Sequence, residues 1–374
     1  MRTSFRRNTV LMLCLAFVTT GAAWAGSIKS VWIDAERHPL DDSLRAVLML
    51  PEGDSAEHPV PGCLVVHGSG GLFKENAPGE DCGPDLENNF RELGELLVGQ
   101  GVAALLPSSF VSRDPRFCED NDDAYFQFVA PPFHNEGDGD IARDAYYKMR
   151  RTVIRPLDLL AAADYLCERQ EVDCQRICMV GTSNGATSIM TYVANDLQRH
   201  MTEYTDTEVR RVHESQSNFV DRQTAFANFP VLPPTLPDRL ASRVLPRFAQ
   251  AISAGCDLRK LVPTVAPDAP SFDPVQHLND LYYPAAGVEF HLDIGTLDDV
   301  PEQCYNGGIR ELQAAAYEML TMATHSRYLV ETYEGAGHNL LGERGEELHA
   351  KLSHLVRIHF FSSIFKDGFE VSQD

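Results

Sequence analysis

The hydrophobic and polar positions of this chain fall into two alternating rhythms. Short apolar runs recur as "IKSVWID" (28–34), "LRAVLMLP" (44–51), "CLVVHG" (63–68), "VAALLP" (102–107), "RICMVG" (176–181), "FAQAISAG" (248–255), "VEFHLDIG" (288–295) and "SRYLVETYEG" (326–335). Several are continuous and apolar, as strands covered on both faces must be. Between them lie stretches of helical periodicity: "NNFRELGELLVGQG" (88–101), "RPLDLLAAADYLCERQ" (155–170), "IRELQAAAYEMLTMA" (309–323) and "EELHAKLSHLVRIHFFSSIF" (346–365). Such alternation predicts an α/β fold, a mostly parallel, doubly wound sheet with helices on both faces. The last helix is long and amphipathic, and core packing accounts for its apolar side.

Two segments interrupt the rhythm. Residues 108–150 are rich in Pro, Asp, Asn and aromatics, and residues 196–247 form a polar insertion carrying the proline cluster "FPVLPPTLPDR". Connections of this length in a compact domain commonly serve as lids or binding loops, so 196–247 is expected to form a cap. The carboxylates near Asp138 and Asp140 lack the full spacing of a calcium loop, and a solvated acidic loop is the expectation there.

The first 25 residues read differently. Arg2, Arg6 and Arg7 precede an apolar run of about a dozen residues, which ends in Ala23, Trp24, Ala25, the pattern of an export signal cleaved near Ala25. Leu13 stands before Cys14 where a lipoprotein site would have a small residue. No stretch approaches the roughly 20 apolar residues of a membrane span. The expectation is a leader over 1–25 and an exported single domain over 26–374, periplasmic or extracellular.

Removal of the leader takes away three arginines and no acid, moving the formal charge from -22 to -25. So acidic a surface argues against nucleic acid and anionic membranes as partners. Eight of the nine cysteines remain, and an oxidising compartment makes bridges expected. Spacing alone leaves on the order of a hundred connectivities open. Cys167 and Cys174 flank the short polar turn "ERQEVD" and are placed to close it. Cys63 and Cys178 lie in buried apolar runs and read as free thiols behaving as small hydrophobes. Structural zinc is not expected, because no cysteine pair has zinc-finger spacing beside histidines.

The chemistry begins at "VGTSNGAT" (180–187). A serine between two glycines, after an apolar strand and before a helix, is a nucleophile elbow: the glycines permit a strained turn that lifts the Ser183 oxygen clear of the backbone. An acid and then a histidine should follow in chain order. Asp298, in "GTLDDVP", lies just beyond one strand, and His338, in "GAGHN", just beyond the next. Asp299 is the rival acid, whereas Asp293 falls within its strand. Position alone singles out His338 from the 13 histidines.

Acyl transfer also needs donors for a developing oxyanion. The backbone N–H of Asn184 is one; the second is expected from Ser69 or Gly70 in "HGSGG", whose glycines let the backbone approach a substrate. His67 reads as a structural residue beneath that loop.

Taken in order, "HGSGG", "GTSNGA", "GTLDDVPEQC" and "GAGHN" resemble the α/β-hydrolases of the dienelactone hydrolase-like group, over about residues 44–365. The resemblance implies the α/β-hydrolase fold, to which the 196–247 insertion would add a cap, and it favours Asp298 over Asp299. It also implies a Cys256–Cys304 bridge and leaves Cys82–Cys118 as a third candidate. The chain departs from dienelactone hydrolases in carrying Ser183 where they have cysteine, and in Ala186 where a third glycine is common. The expected function is a secreted serine hydrolase acting on a small-molecule or polymer-derived carboxylic ester through Ser183, His338 and Asp298, without metal or cofactor. A peptidase on the same scaffold would bring a cap or propeller domain, and no propeller-like repeat is present. A non-catalytic binding protein would be expected to have lost at least one site element, and none is missing.

Overall fold

The computed structural model describes residues 26–39, 43–53, 56–73, 86–109, 153–194, 197, 201, 233–254, 284–298 and 327–362. Each of the eight apolar runs forms a strand: β1 (Ser27–Ile33), β2 (Leu44–Leu50), β3 (Val60–Val66), β4 (Ala103–Ser108), β5 (Val172–Thr182), β6 (Phe248–Ile252), β7 (Glu289–Gly295) and β8 (Arg327–Tyr333). They join one sheet in the order β1-β2-β4-β3-β5-β6-β7-β8. β1 and β2 run antiparallel to their neighbours, and every pairing from β4 to β8 is parallel. Because β4 and β5 flank β3 on opposite sides, the chain reverses its winding there. Such a reversal leaves a crevice at the carboxyl ends of the strands.

The helices are α1 (Asn88–Gly99), α2 (Arg155–Cys167), α3 (Asn184–Val193), α4 (Leu236–Ala241), α5 (Leu340–Glu343) and α6 (Gly345–Val356), which runs into a π-helical turn, Arg357–Phe361. The expected helix over 309–323 lies outside the described residues. Strand side chains alternate with period two. Leu64, Val66, Leu105 and Met179 face α2 and α3. Val65, Leu106 and Val180 face α1 and α6 on the other side. α1 buries Phe90, Leu93, Leu97 and Val98 on one stripe, while α2 and α3 are buried nearly throughout, polar residues such as Asp158 and Ser188 included. Burying one such leucine or valine side chain stabilises by about 2 kcal/mol.

Two cysteine expectations meet different outcomes. Cys167 and Cys174 are bridged, as their short turn suggests. Cys63 and Cys178 are not free thiols: they are bridged to one another across 115 residues. They stand opposite in the parallel register of β3 and β5, with Cα atoms 4.5 Å apart, within the span that a disulfide bridges. That register belongs to the sheet and to neither apolar run alone. Cys82, Cys118, Cys256 and Cys304 lie outside the described residues.

Part of the segment expected to form a cap is described. α4 buries Leu236 and Leu240, and Arg239 donates to the Asp164 carboxylate and to the Arg37 carbonyl. Arg243 donates to the carbonyls of Tyr192 and Ala194, at the end of α3 roughly 13 Å along the helix axis from Ser183. Residues 233–247 therefore pack away from the elbow. The expectation of a cap then rests on 202–232, which lie outside the described residues.

Charge pairs gather at the amino ends of the strands. Arg176 pairs with Asp173, Arg169 with Glu171, and Arg37 with Glu168 and Asp34. A cavity of about 670 Å³ opens here, lined by Arg37, Tyr165, Glu168, Arg169 and Glu171, so its arginines already have carboxylate partners. Glu289, at the start of β7, receives His291 at 2.9 Å, and His359 of the π-helical turn lies 3.4 Å away. Burial opposes ionisation of Glu289, but the two imidazoles outweigh it and hold the carboxyl well below the usual range.

Candidate active site

β3, β5, β7 and β8 end at the same edge of the sheet, and the loop after each supplies one element of the site. Ser183 follows β5 with φ 49° and ψ -121°, a left-handed backbone that a non-glycine residue occupies only under constraint. The constraint is visible. Ser183 N–H donates to the Ile252 carbonyl at 2.8 Å, and the Ser183 carbonyl accepts from Thr187 N–H in the first turn of α3. A Cβ at Gly181 would come within 2.7 Å of the Ile189 methyl, and one at Gly185 would strike the carbonyl oxygens of Val66 and His67. Only glycine allows α3 to start this close to β3.

The acid and histidine loops are fastened to each other. Thr296 N–H donates to the Tyr333 carbonyl and Leu297 N–H to the Ala336 carbonyl, while Gly335 N–H donates back to Thr296 Oγ1 at 2.8 Å. Gly337 N–H, beside the histidine, donates to Glu343 Oε2 at 2.8 Å. This zipper brings His338 Nδ1 to 3.1 Å from Asp298 Oδ2, and His338 Nε2 to 3.0 Å from Ser183 Oγ. A buried carboxylate can only accept, so Nδ1 carries the proton and Nε2 presents its lone pair to the Ser183 hydroxyl. The Asp298 side chain is fully buried, whereas the His338 side chain is 30% exposed. Asp299 lies outside the described residues. Asp293 is engaged elsewhere, accepting from Lys351 and Gln250. Burial, then the Asp293 charge, pushes the neighbouring Tyr333 hydroxyl well up.

Gly68–Gly71 close a turn beside the elbow, and a Cβ at Gly68 would lie 3.2 Å from the Ser183 Cβ. Asn184 opens α3, and its side-chain amide donates to Ser69 Oγ. His67 is buried beneath the turn: Nδ1–H donates to the Gly68 carbonyl and Nε2 accepts from Ser109 N–H. Arg155, fully buried, donates to the His67 carbonyl. His67 is thus part of the support, as its place in the sequence suggests. The zipper residues Thr296 and Glu343 and the Asn184 side chain escaped sequence reasoning. Thr296 at least stands inside the motif that carries Asp298.

The arrangement offers a hydroxyl facing an imidazole nitrogen, a buried carboxylate behind the ring, and a helix amino terminus beside the hydroxyl. Chemically it can transfer a proton away from Ser183 as that oxygen attacks an electrophile. Among the described residues no group of His, Cys, Asp and Glu side chains is arranged to hold a metal ion, and no helix is long and apolar enough to cross a membrane.

No family model matches the chain, and no curated protein matches it. Solved structures resemble it in fold. A structure described as a dienelactone hydrolase from Klebsiella pneumoniae is 14% identical with a TM-score of 0.47, covering 90% of this chain and 98% of its own. The esterase Est2 of Thermogutta terrifontis, solved with butyrate bound, is 13% identical with a TM-score of 0.45, covering 88% and 93%. Dipeptidyl peptidase 4 of Porphyromonas gingivalis is 11% identical with a TM-score of 0.48, and the likeness covers 89% of this chain but 36% of the peptidase. The strand order, the parallel core of the sheet and the elbow after β5 are those of the α/β-hydrolase fold.

Proposed function

We propose that this chain is an exported serine hydrolase that cleaves carboxylic esters, small molecules or polymer-derived, through an acyl-enzyme. The observation that carries the reading is the continuous relay from Ser183 Oγ through His338 to the buried Asp298. In the reaction, His338 Nε2 takes the Ser183 proton as the serine oxygen attacks the ester carbonyl, and Asp298 stabilises the imidazolium. The carbonyl oxygen becomes an oxyanion facing Asn184 N–H and a backbone N–H of Ser69 or Gly70, one such donor lowering the barrier by roughly 3 to 4 kcal/mol. Collapse returns the proton from Nε2 to the departing alkoxide. Water then attacks the acyl-serine, His338 again removing a proton, and the acid leaves with Ser183 restored.

Two disulfides among the described residues are compatible with export and cleavage near Ala25. The test is hydrolysis of p-nitrophenyl esters of graded chain length by residues 26–374 and by Ser183→Ala. Turnover falling by roughly four orders of magnitude or more in the variant is expected. Undiminished turnover in the variant, or none in the parent, overturns the reading.

A further inference from the structure

Ser69 bonds in one direction only. Its hydroxyl oxygen accepts from the Asn184 side-chain amide, and among the described residues it has no other partner. An amide N–H must donate, so it occupies a lone pair of Ser69 Oγ and leaves the hydroxyl proton to point elsewhere. Asn184 is buried and opens α3, with its own backbone N–H at the helix terminus beside Ser183. Gly68, one residue before Ser69, packs against the Ser183 Cβ. The hydroxyl therefore belongs to the turn that packs against Ser183, is partly exposed, and is held by a buried amide that leaves its proton free to donate.

We infer that the Ser69 hydroxyl is a side-chain donor to the oxyanion, acting beside the two backbone donors, and that the Asn184 carboxamide is its positioning residue. This rests on the reading of Ser183 as nucleophile. Residue 184 then has two separable functions: its backbone N–H faces the oxyanion, and its side chain aims a second residue at the same charge. Substituting alanine at 184 keeps the first and deletes the second. A hydroxyl so aimed strengthens its bond as negative charge develops, so it acts on the transition state more than on the bound ester.

The experiment uses residues 26–374 carrying Ser69→Ala, Ser69→Thr, Asn184→Ala or Ser69→Ala with Asn184→Ala, assayed on p-nitrophenyl acetate with Ser183→Ala as the blank. Inhibition by phenylboronic acid, whose tetrahedral adduct on serine presents an oxygen in the oxyanion position, is measured in parallel. Ser69→Ala should lower kcat by about 100-fold with KM within about threefold, and weaken the boronic acid by a similar factor. Ser69→Thr, which keeps the hydroxyl, should recover most of both. Asn184→Ala should lower kcat by roughly tenfold, and the double variant should be no worse than Ser69→Ala, because on this inference the amide reaches the oxyanion through that hydroxyl. Ser69→Ala with kcat and boronate inhibition near those of the parent overturns the inference while leaving the serine hydrolase standing. So does a double variant whose losses multiply. Absence of Ser183-dependent turnover in the parent overturns both.

Discussion

At the carboxyl end of the sheet, Gly185 lies so close to β3 that a methyl group would strike the carbonyls of Val66 and His67, and Gly295 stands in the same relation to the carbonyls of Ala336 and Gly337. At the amino end the contacts are local ion pairs at the start of β5, Arg176 with Asp173 and Arg169 with Glu171, each about one-third exposed. Contact between backbones admits one residue type, since no rotamer can relieve the clash. A partly exposed ion pair contributes little, is screened by salt, and is replaceable. Tolerance to substitution should therefore rise steeply from the Ser183 end to the opposite end, and the two disulfides mark the gradient.

The largest effect is expected midway. Cys63→Ala with Cys178→Ala opens a 115-residue loop, and chain entropy puts the loss at about 5 kcal/mol, read as a lowered urea midpoint. If the spacing of β3 and β5 sets the Gly68–Gly71 turn against Ser183, turnover falls with it. Gly185→Ala comes next, with about 3 kcal/mol lost to overpacking and, on the proposed function, ester hydrolysis reduced roughly 100-fold as Ser183 is displaced. Wild-type turnover in that variant would break the contrast between the two ends.

Cys167→Ala with Cys174→Ala should cost about 2 kcal/mol, the loop being short, and leave turnover unchanged. Glu289→Gln sharpens the picture through pH. Since the folded carboxyl is held below its ordinary range, its contribution is complete above about pH 5 and drains away as pH falls through that range. The variant should lose roughly 2 kcal/mol at pH 7 and progressively less below pH 4, measured by urea unfolding at each pH. Smallest of all, Arg176→Ala should cost under about 1 kcal/mol, and less again in molar salt.

These unequal tolerances bear on what could be read from the chain. All eight strands were legible, because an apolar run needs only its own residues to declare itself. The meeting of Ser183, Asp298 and His338 was legible because each sits one step past a strand, and a parallel sheet collects such steps at one edge. Cys63 and Cys178 were misread for the complementary reason: whether two buried cysteines meet depends on strand order and register, which neither run encodes. The aim of the Asn184 side chain at Ser69, and the pairing of His359 with Glu289, likewise exist only once distant segments are side by side. The amino-end packing of 233–247 was hidden behind a proline-rich composition that also suits a lid.

The Cys63–Cys178 bond has one more effect, on what counts as a broken molecule. It closes residues 63 to 178 into a covalent ring, so a protease cut at any one peptide bond inside that ring yields two pieces that cannot part. After a cut beyond Gly71, one piece would carry the Gly68–Gly71 turn and the other Ser183, Asp298 and His338, still strapped together at adjacent strands. Such a nicked protein would migrate as a single species until a reductant met it in denaturant, and its integrity would have to be judged on reducing gels.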